Sequence, residues 1–198
     1  MREIRRSFRG LPLELLSLRD IPGATEVEEK GKTFLENARQ KSLAYSLRSD
    51  YLTLAEDSGL EIDALGGAPG VFSARFSGPG SSDEKNLRKV LRLLKGLPLP
   101  KRRARFVCQL VLSQRWRVLK ECRGQVGGII AEGKKGGGGF GYDPIFFYRP
   151  LGRTFAELPP DRKNAVSHRG RALRKMRVFL LRCLNTSGQG VEKKRRGP

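Results

Sequence analysis

Histidine, tryptophan and cysteine are scarce: the 198 residues include one His, one Trp and three Cys. With His168 the only histidine, a histidine-rich zinc site is excluded within one chain. A Ser-His-Asp triad would have to use that one residue, and no G-x-S-x-G elbow accompanies it. Cys108, Cys122 and Cys183 are widely spaced, odd in number and without a C-x-x-C pair. That argues against a disulfide framework or zinc knuckle and fits a reducing cytoplasm. No apolar run approaches the ~18 residues of a membrane helix, and MREIRRSFRG lacks the apolar stretch of a signal peptide. There is neither a P-loop nor a G-x-G-x-x-G helix entry.

Acids are outnumbered. Forty Lys and Arg against twenty Asp and Glu give a formal charge of +20. A nucleic-acid binder is one reading of that excess. The basic residues, however, spread along the whole chain and concentrate only in KRRAR (101–105) and KKRR (193–196), with no RNP, KH or zinc-finger pattern. A solvated basic surface and an acidic small-molecule substrate account for them better, and neither a specific nucleic-acid partner nor a membrane partner is expected. Apolar residues at 38% and a length of 198 suffice for a globular core.

Periodicity gives the elements. Residues 2–9 read as the end of a helix stopped by Gly10, and Leu13–Leu18 as a strand. A helix spans GKTFLENARQKSLAYSLRS, with Thr33 and Glu36 in capping-box spacing and Phe34, Ala38 and Tyr45 on one face. YLTLAEDSGLEIDAL reads strand, turn, strand, with Asp57-Ser58-Gly59 at the bend, and a loop over Gly66–Gly70 follows. A helix from Ser81 or Ser82 places Leu87, Val90, Leu91 and Leu94 together and ends at Gly96. Ala104–Ser113 and Arg117–Val126 pair as a hairpin, and YDPIFFY is a short strand. Ser167 caps a last helix carrying Ala172, Met176, Phe179, Leu180 and Cys183, and residues 186–198 form a basic tail expected to be disordered. This mixture indicates an α/β fold on a mixed β-sheet.

What chemistry remains is that of carboxylates, cations and glycines, the kit for metal-assisted handling of phosphates. Glu56 and Asp57 follow an apolar strand, and a turn acid bonding its own backbone is an equal alternative for Asp57. For Glu36 the capping role is the stronger reading. Lys163, His168 and Arg169 surround the start of the last helix; a His-Arg pair at a helix N-terminus opposes the helix dipole, which favours a functional role over plain surface charge. GGGGFGYDPIFF (136–147) lets backbone approach a ligand closely and offers Phe140 as a ring face. A glycine-rich hairpin with a core aromatic is the alternative, for Tyr142 in particular.

KTFLENA, AEDSGLEIDALGGAPGVFSARFSG, NLRKVL, GGFGYDPIF, FAELPPDRKNAVSHRG and RALRKM, in this order, resemble the inosine triphosphate pyrophosphatase (XTP/dITP diphosphatase) family from about Arg2 to Leu184. The resemblance implies an elongated mixed sheet with flanking helices and two lobes around a substrate cleft, in a single domain over 1–185. It implies a cytoplasmic, homodimeric, Mg²⁺-dependent enzyme that splits dITP, ITP and XTP into monophosphate and pyrophosphate. By match, Asp57 is general base and metal ligand, and Glu36 a second metal carboxylate. Ser58 contacts substrate, Phe140, Gly141, Tyr142 and Asp143 bind the nucleoside, and Lys163, His168 and Arg169 recognise the base. Arg75 lies in the matched SAR motif without an assigned role.

Family members begin with a strand and a T-x-N-x-x-K loop, whereas this sequence starts inside the following helix. The expectation is a first strand missing and a working protein about ten to twenty residues longer, the usual length of one strand and a loop. A degenerate relative that binds nucleotide without efficient hydrolysis, or a basic nucleic-acid-binding protein, are the competing readings.

Overall fold

The computed structural model describes residues 1–192 apart from Pro22, Ala24 and Ser49. Five strands form one sheet in the order β1 (Thr53–Ile62), β2 (Arg103–Gln114), β3 (Arg117–Ile130), β4 (Phe146–Tyr148) and β5 (Arg153–Thr154). The helices are α1 (Arg2–Ser7), α2 (Phe34–Ser46), α3 (Asp83–Leu93), α4 (Pro160–Val166) and α5 (His168–Glu192). The α/β architecture with flanking helices is as expected. Every ladder among the described residues is antiparallel, so the parallel pairing of a mixed sheet is not seen there. The reason is that strands consecutive in sequence are neighbours in space, each connection returning the chain in the opposite direction.

Alternation along β2 sorts the two faces. Cys108, Leu110 and Leu112 meet Cys122 of β3 and Ala172, Leu173, Met176 and Leu180 of α5, with Phe8 and Leu11 closing this core. Farther along the same face, Ala104 and Phe106 join Leu60, Ile62, Val126 and Ile130 under Leu87 and Val90 of α3 and Leu94 just after it. Two cores thus sit side by side on one sheet. Met176 and Leu173 are fully buried; truncating either to alanine costs about 2–5 kcal/mol. The opposite face carries α2, where the Ser42 and Ser113 hydroxyls meet at 2.6 Å.

Local chemistry explains most element boundaries. Thr33 accepts from the Glu36 amide at 3.1 Å and starts α2, while Glu36 Oε2 accepts from Lys32 N at 2.6 Å, one residue before the position a capping box would use. Ser82 caps α3 by accepting from Lys85 N, and Ser167 Oγ accepts from Gly170 N at 3.0 Å to open α5. The β2–β3 turn is two residues, Arg115 and Trp116, both at positive φ (48° and 62°), which matches the twist of a tight hairpin.

Three expectations are corrected. Asp57-Ser58-Gly59 is not a bend but the middle of one ten-residue strand. Gly59 is there for proximity: a Cβ would lie 2.3 Å from Ser73 Oγ, 2.8 Å from Gly70 O and 2.8 Å from the Phe34 ring. Leu13–Leu18 is not a strand; Leu13 and Leu15 pack on the core under α5 without a partner strand among the described residues. The helix expected to end before residue 186 runs to Glu192, with no proline in that stretch to stop it. Residues 193–198 of the expected tail lie outside the described residues.

Candidate functional site

The long strand β1 delivers two consecutive acids to opposite faces of the sheet. Glu56 stands across from Leu110, on the α5 side, and Asp57 across from Gln109, on the α2 side. Glu56 accepts from Arg169 Nε at 2.7 and 3.0 Å, and Glu3 of α1 accepts from Arg169 Nη1 at 2.6 Å. Burial alone would lower the guanidinium pKa, but Glu56 and Glu3 together hold it above that of an ordinary arginine. Ser58 donates to Glu56 Oε1 at 2.9 Å and so braces the brace.

Beside this arginine, Lys163 of α4 pairs with Asp143, both nearly fully buried. Burial pushes the Asp143 carboxyl up against the opposing pull of Lys163. The same Asp143 Oδ2 accepts from the Phe140 amide at 2.8 Å. The Phe140 ring is half exposed and lies 4.4 Å from Lys163 Nζ and 5.1 Å from Arg169 Cζ. Phe140, Lys163 and Arg169 thereby form one ring-and-cation surface within a cleft of about 890 Å³, whose walls include Glu3, Gly139 and Asn164. Asn164 Oδ1 is buried without a hydrogen-bond partner among the described residues.

The glycine run is explained at two positions. At Gly139 (φ 75°) a Cβ would meet the Asp143 carboxylate at 2.1 Å, and at Gly136 (φ 78°) the Ala156 backbone at 2.5 Å. The close approach is therefore to the chain's own Asp143 and backbone, which seats Phe140 at the cleft. Gly141 N donates to Asp83 at the start of α3 at 2.7 Å. Tyr142 is buried and donates to Ser73 O at 2.8 Å, so the core-aromatic alternative describes its side chain. His168 also points inward, stacked on Phe106 at 4.7 Å. Burial, with the charges of Arg169 and Lys163, lowers its pKa to about 3, and the ring is neutral at ordinary pH.

On the other face, Asp57 accepts from Asn37 Nδ2 at 3.0 Å and lies 3.6 Å from Lys41 Nζ. Lys41 also binds Glu29 at 2.6 Å, and Arg75 approaches Glu29 at 3.9 Å. Burial raises the Asp57 pKa; Lys41 and Asn37 oppose this and the nearby Glu29 charge adds to it. Glu36 is exposed in the first turn of α2, so the acid that shares Lys41 with Asp57 is Glu29. Among the described residues no three His, Cys, Asp or Glu form a metal cluster. Asp57 and Glu29 both lie against Lys41, and carboxylate oxygens are the ligand type Mg²⁺ takes, one or two from protein beside phosphates.

Sequence reading missed Glu29, Lys41, Glu3 and Asn164. Asn37 and Lys41 did carry a signal, being one turn apart on α2. Glu29 lies in an irregular segment with no periodicity to mark it.

The Ham1 family model matches residues 1–179. A Geobacter sulfurreducens protein described as a dITP/XTP pyrophosphatase is 48% identical over 192 residues, covering 97% of this chain and 94% of that one. A Desulforamulus reducens protein of the same description is 44% identical over 182 residues, covering 92% and 90%. The solved HAM1 protein of Coxiella burnetii superposes with a TM-score of 0.85 at 38% identity, over 91% of this chain and 92% of that one. The chain belongs to the Ham1 family.

Proposed function

We propose that this chain hydrolyses dITP, ITP and XTP to the nucleoside monophosphate and pyrophosphate, clearing deaminated purines from the nucleotide pool. The observation that carries this reading is the convergence of Lys163 and Arg169 on the exposed Phe140 ring, together with the 42–48% identity to proteins described as dITP/XTP pyrophosphatases.

The residues divide the labour. A purine beside Phe140 presents its 6-keto oxygen to Lys163 and Arg169, which are donors only. Adenine would turn an amino donor toward those donors, a mismatch that a 6-keto oxygen avoids. Arg169 keeps its orientation because Glu56 and Glu3 occupy its fork. His168 stays neutral behind it and adds no charge.

Lys41 lies beside Asp57 and supplies positive charge for the triphosphate. Asp57, with its affinity for a proton raised by burial, positions the attacking water and takes its proton. Mg²⁺ held by Asp57 with Glu29, and Glu36 from the neighbouring turn, would neutralise phosphate charge and favour pyrophosphate as leaving group. The proposal extends to a cytoplasmic homodimer on the resemblance alone.

Pyrophosphate release from dITP, dATP and dGTP with Mg²⁺ tests the reading, using the wild type and Asp57→Asn. Selective turnover of dITP that the variant loses is expected; unselective turnover, or none beside salt-sensitive DNA binding, would favour the competing readings.

A further inference from the structure

A groove of about 630 Å³ between β3 and α5, outside the nucleotide cleft, is lined by Arg123, Gly124, Gln125, Arg171, Arg174 and Lys175. Four of the six are cationic and none is an acid. Sheet topology creates it. β4 pairs with β3 only at Ile129 and Ile130, so the earlier part of β3 is an open edge among the described residues. Ala131 N donates to Ile145 O, on the β4 side, while Ile130 N donates to Arg102 O, on the β2 side. By strand alternation Arg123 and Gln125, like Ile129 and Ala131, turn both N–H and C=O outward.

Side chains of α5 occupy those carbonyls. Lys175 Nζ donates to Arg123 O at 2.7 Å and Arg171 Nη1 to Gln125 O at 3.0 Å, while Arg174 Nη1 reaches Asn164 O at 3.4 Å. A carbonyl fixes a cation in place without neutralising it, unlike the carboxylates that pair with Arg39, Arg105 and Arg169. The outward backbone acceptors are thereby taken. What remains is the other N–H groups of the guanidiniums and the ammonium, beside the outward amides of Arg123 and Gln125. By itself this arrangement is unfavourable. Arg171, Arg174 and Lys175 stand at i, i+3 and i+4 on one helix face, where like charges repel, and α5 has no acid in its first turn to offset them.

We propose that the open edge of β3 and the adjoining face of α5 form an anion site for a compact inorganic oligophosphate of the pyrophosphate type. The three helix cations span only about 6 Å, four residues at about 1.5 Å each. That length suits a small anion whose several charged oxygens accept from the whole set at once. An extended nucleic-acid strand, or a nucleoside, would call for an aromatic ring to stack its base, and none lines the groove. The site uses no residue assigned to hydrolysis or to base reading.

Calorimetric titration of the full chain with inorganic pyrophosphate tests this, without added Mg²⁺ and at about 0.15 M salt, where charges more than about 8 Å apart are largely screened. Arg171→Gln/Lys175→Gln keeps a hydrogen-bond donor for each carbonyl and removes the charge. It should weaken pyrophosphate binding about tenfold or more, since two charge-assisted hydrogen bonds are lost. Lys41→Gln, on the other face of the sheet, should leave that binding unchanged. Equal binding by the wild type and the double variant, or binding abolished by Lys41→Gln instead, would place pyrophosphate in the nucleotide cleft and overturn the proposal. So would no binding at this salt, or displacement of pyrophosphate by a lower concentration of single-stranded oligonucleotide. Calorimetry reads the site whether or not the chain turns over dITP, so failure here is distinct from failure of the proposed hydrolysis.

Discussion

Glu56 and Asp57 are neighbours in β1 yet serve opposite faces: Glu56 binds Arg169 at 2.7 Å and Asp57 lies 3.6 Å from Lys41. Strand alternation alone separates the acid that binds Arg169 from the acid beside Lys41.

Asp57→Asn should lower kcat for dITP by about 10²–10⁴-fold, the range for removing a general base. The same change should raise Tm by a few degrees at neutral pH. Burial raises the Asp57 pKa, so the folded state binds the proton more tightly than the unfolded chain. The ionised form therefore costs stability above the folded pKa, and the advantage of asparagine disappears as pH falls through that value. Calorimetry across a pH series checks the sign.

Glu56→Gln leaves a hydrogen-bonding side chain but removes the charge that holds Arg169. Selectivity for dITP over dATP should fall by about tenfold, the worth of one charge-assisted hydrogen bond. Competing-substrate kinetics at fixed Mg²⁺ measure it. A loss of total turnover with selectivity intact would deny Glu56 its positioning role.

His168 contributes to acid sensitivity. Its pKa in the fold is about 3, against 6.5 for the free side chain. The unfolded chain then binds the extra proton first, so this contribution is full above about 6.5 and is lost progressively as pH falls toward about 3. His168→Phe keeps a ring against Phe106 and should flatten the decline of Tm with falling pH in that interval.

Gly59→Ala tests the strand through the candidate site. The new methyl would press on Ser73, Gly70 and Phe34 at 2.3–2.8 Å. Overpacking of this kind costs about 1–3 kcal/mol, so a drop in Tm of several degrees is expected in thermal melts.

Legibility followed periodicity. The apolar spacing of α3 and α5 and the two β-rich runs around Arg115-Trp116 identified those elements because one buried face imposes a repeat. Asp57-Ser58-Gly59 misled because its residue types suit a turn, whereas close packing of Gly59 against Ser73 keeps the strand straight. The His168-Arg169 pair was legible as a mismatch with the helix dipole. Glu3 and Glu29 were not, since their partners Arg169 and Lys41 are brought to them only by tertiary packing. Tyr142 and His168 show the converse: a matched motif contained side chains that face the core.

The central claim is that Lys163 and Arg169 select a 6-keto purine while Asp57 serves hydrolysis. The most direct measurement is kcat/KM for dITP and dATP with wild type, Lys163→Met and Asp57→Asn in parallel. The account predicts strong preference for dITP in the wild type, a preference reduced by about tenfold or more in Lys163→Met, and loss of turnover on both substrates in Asp57→Asn. Equal turnover of dITP and dATP by the wild type, or undiminished turnover by Asp57→Asn, would contradict it.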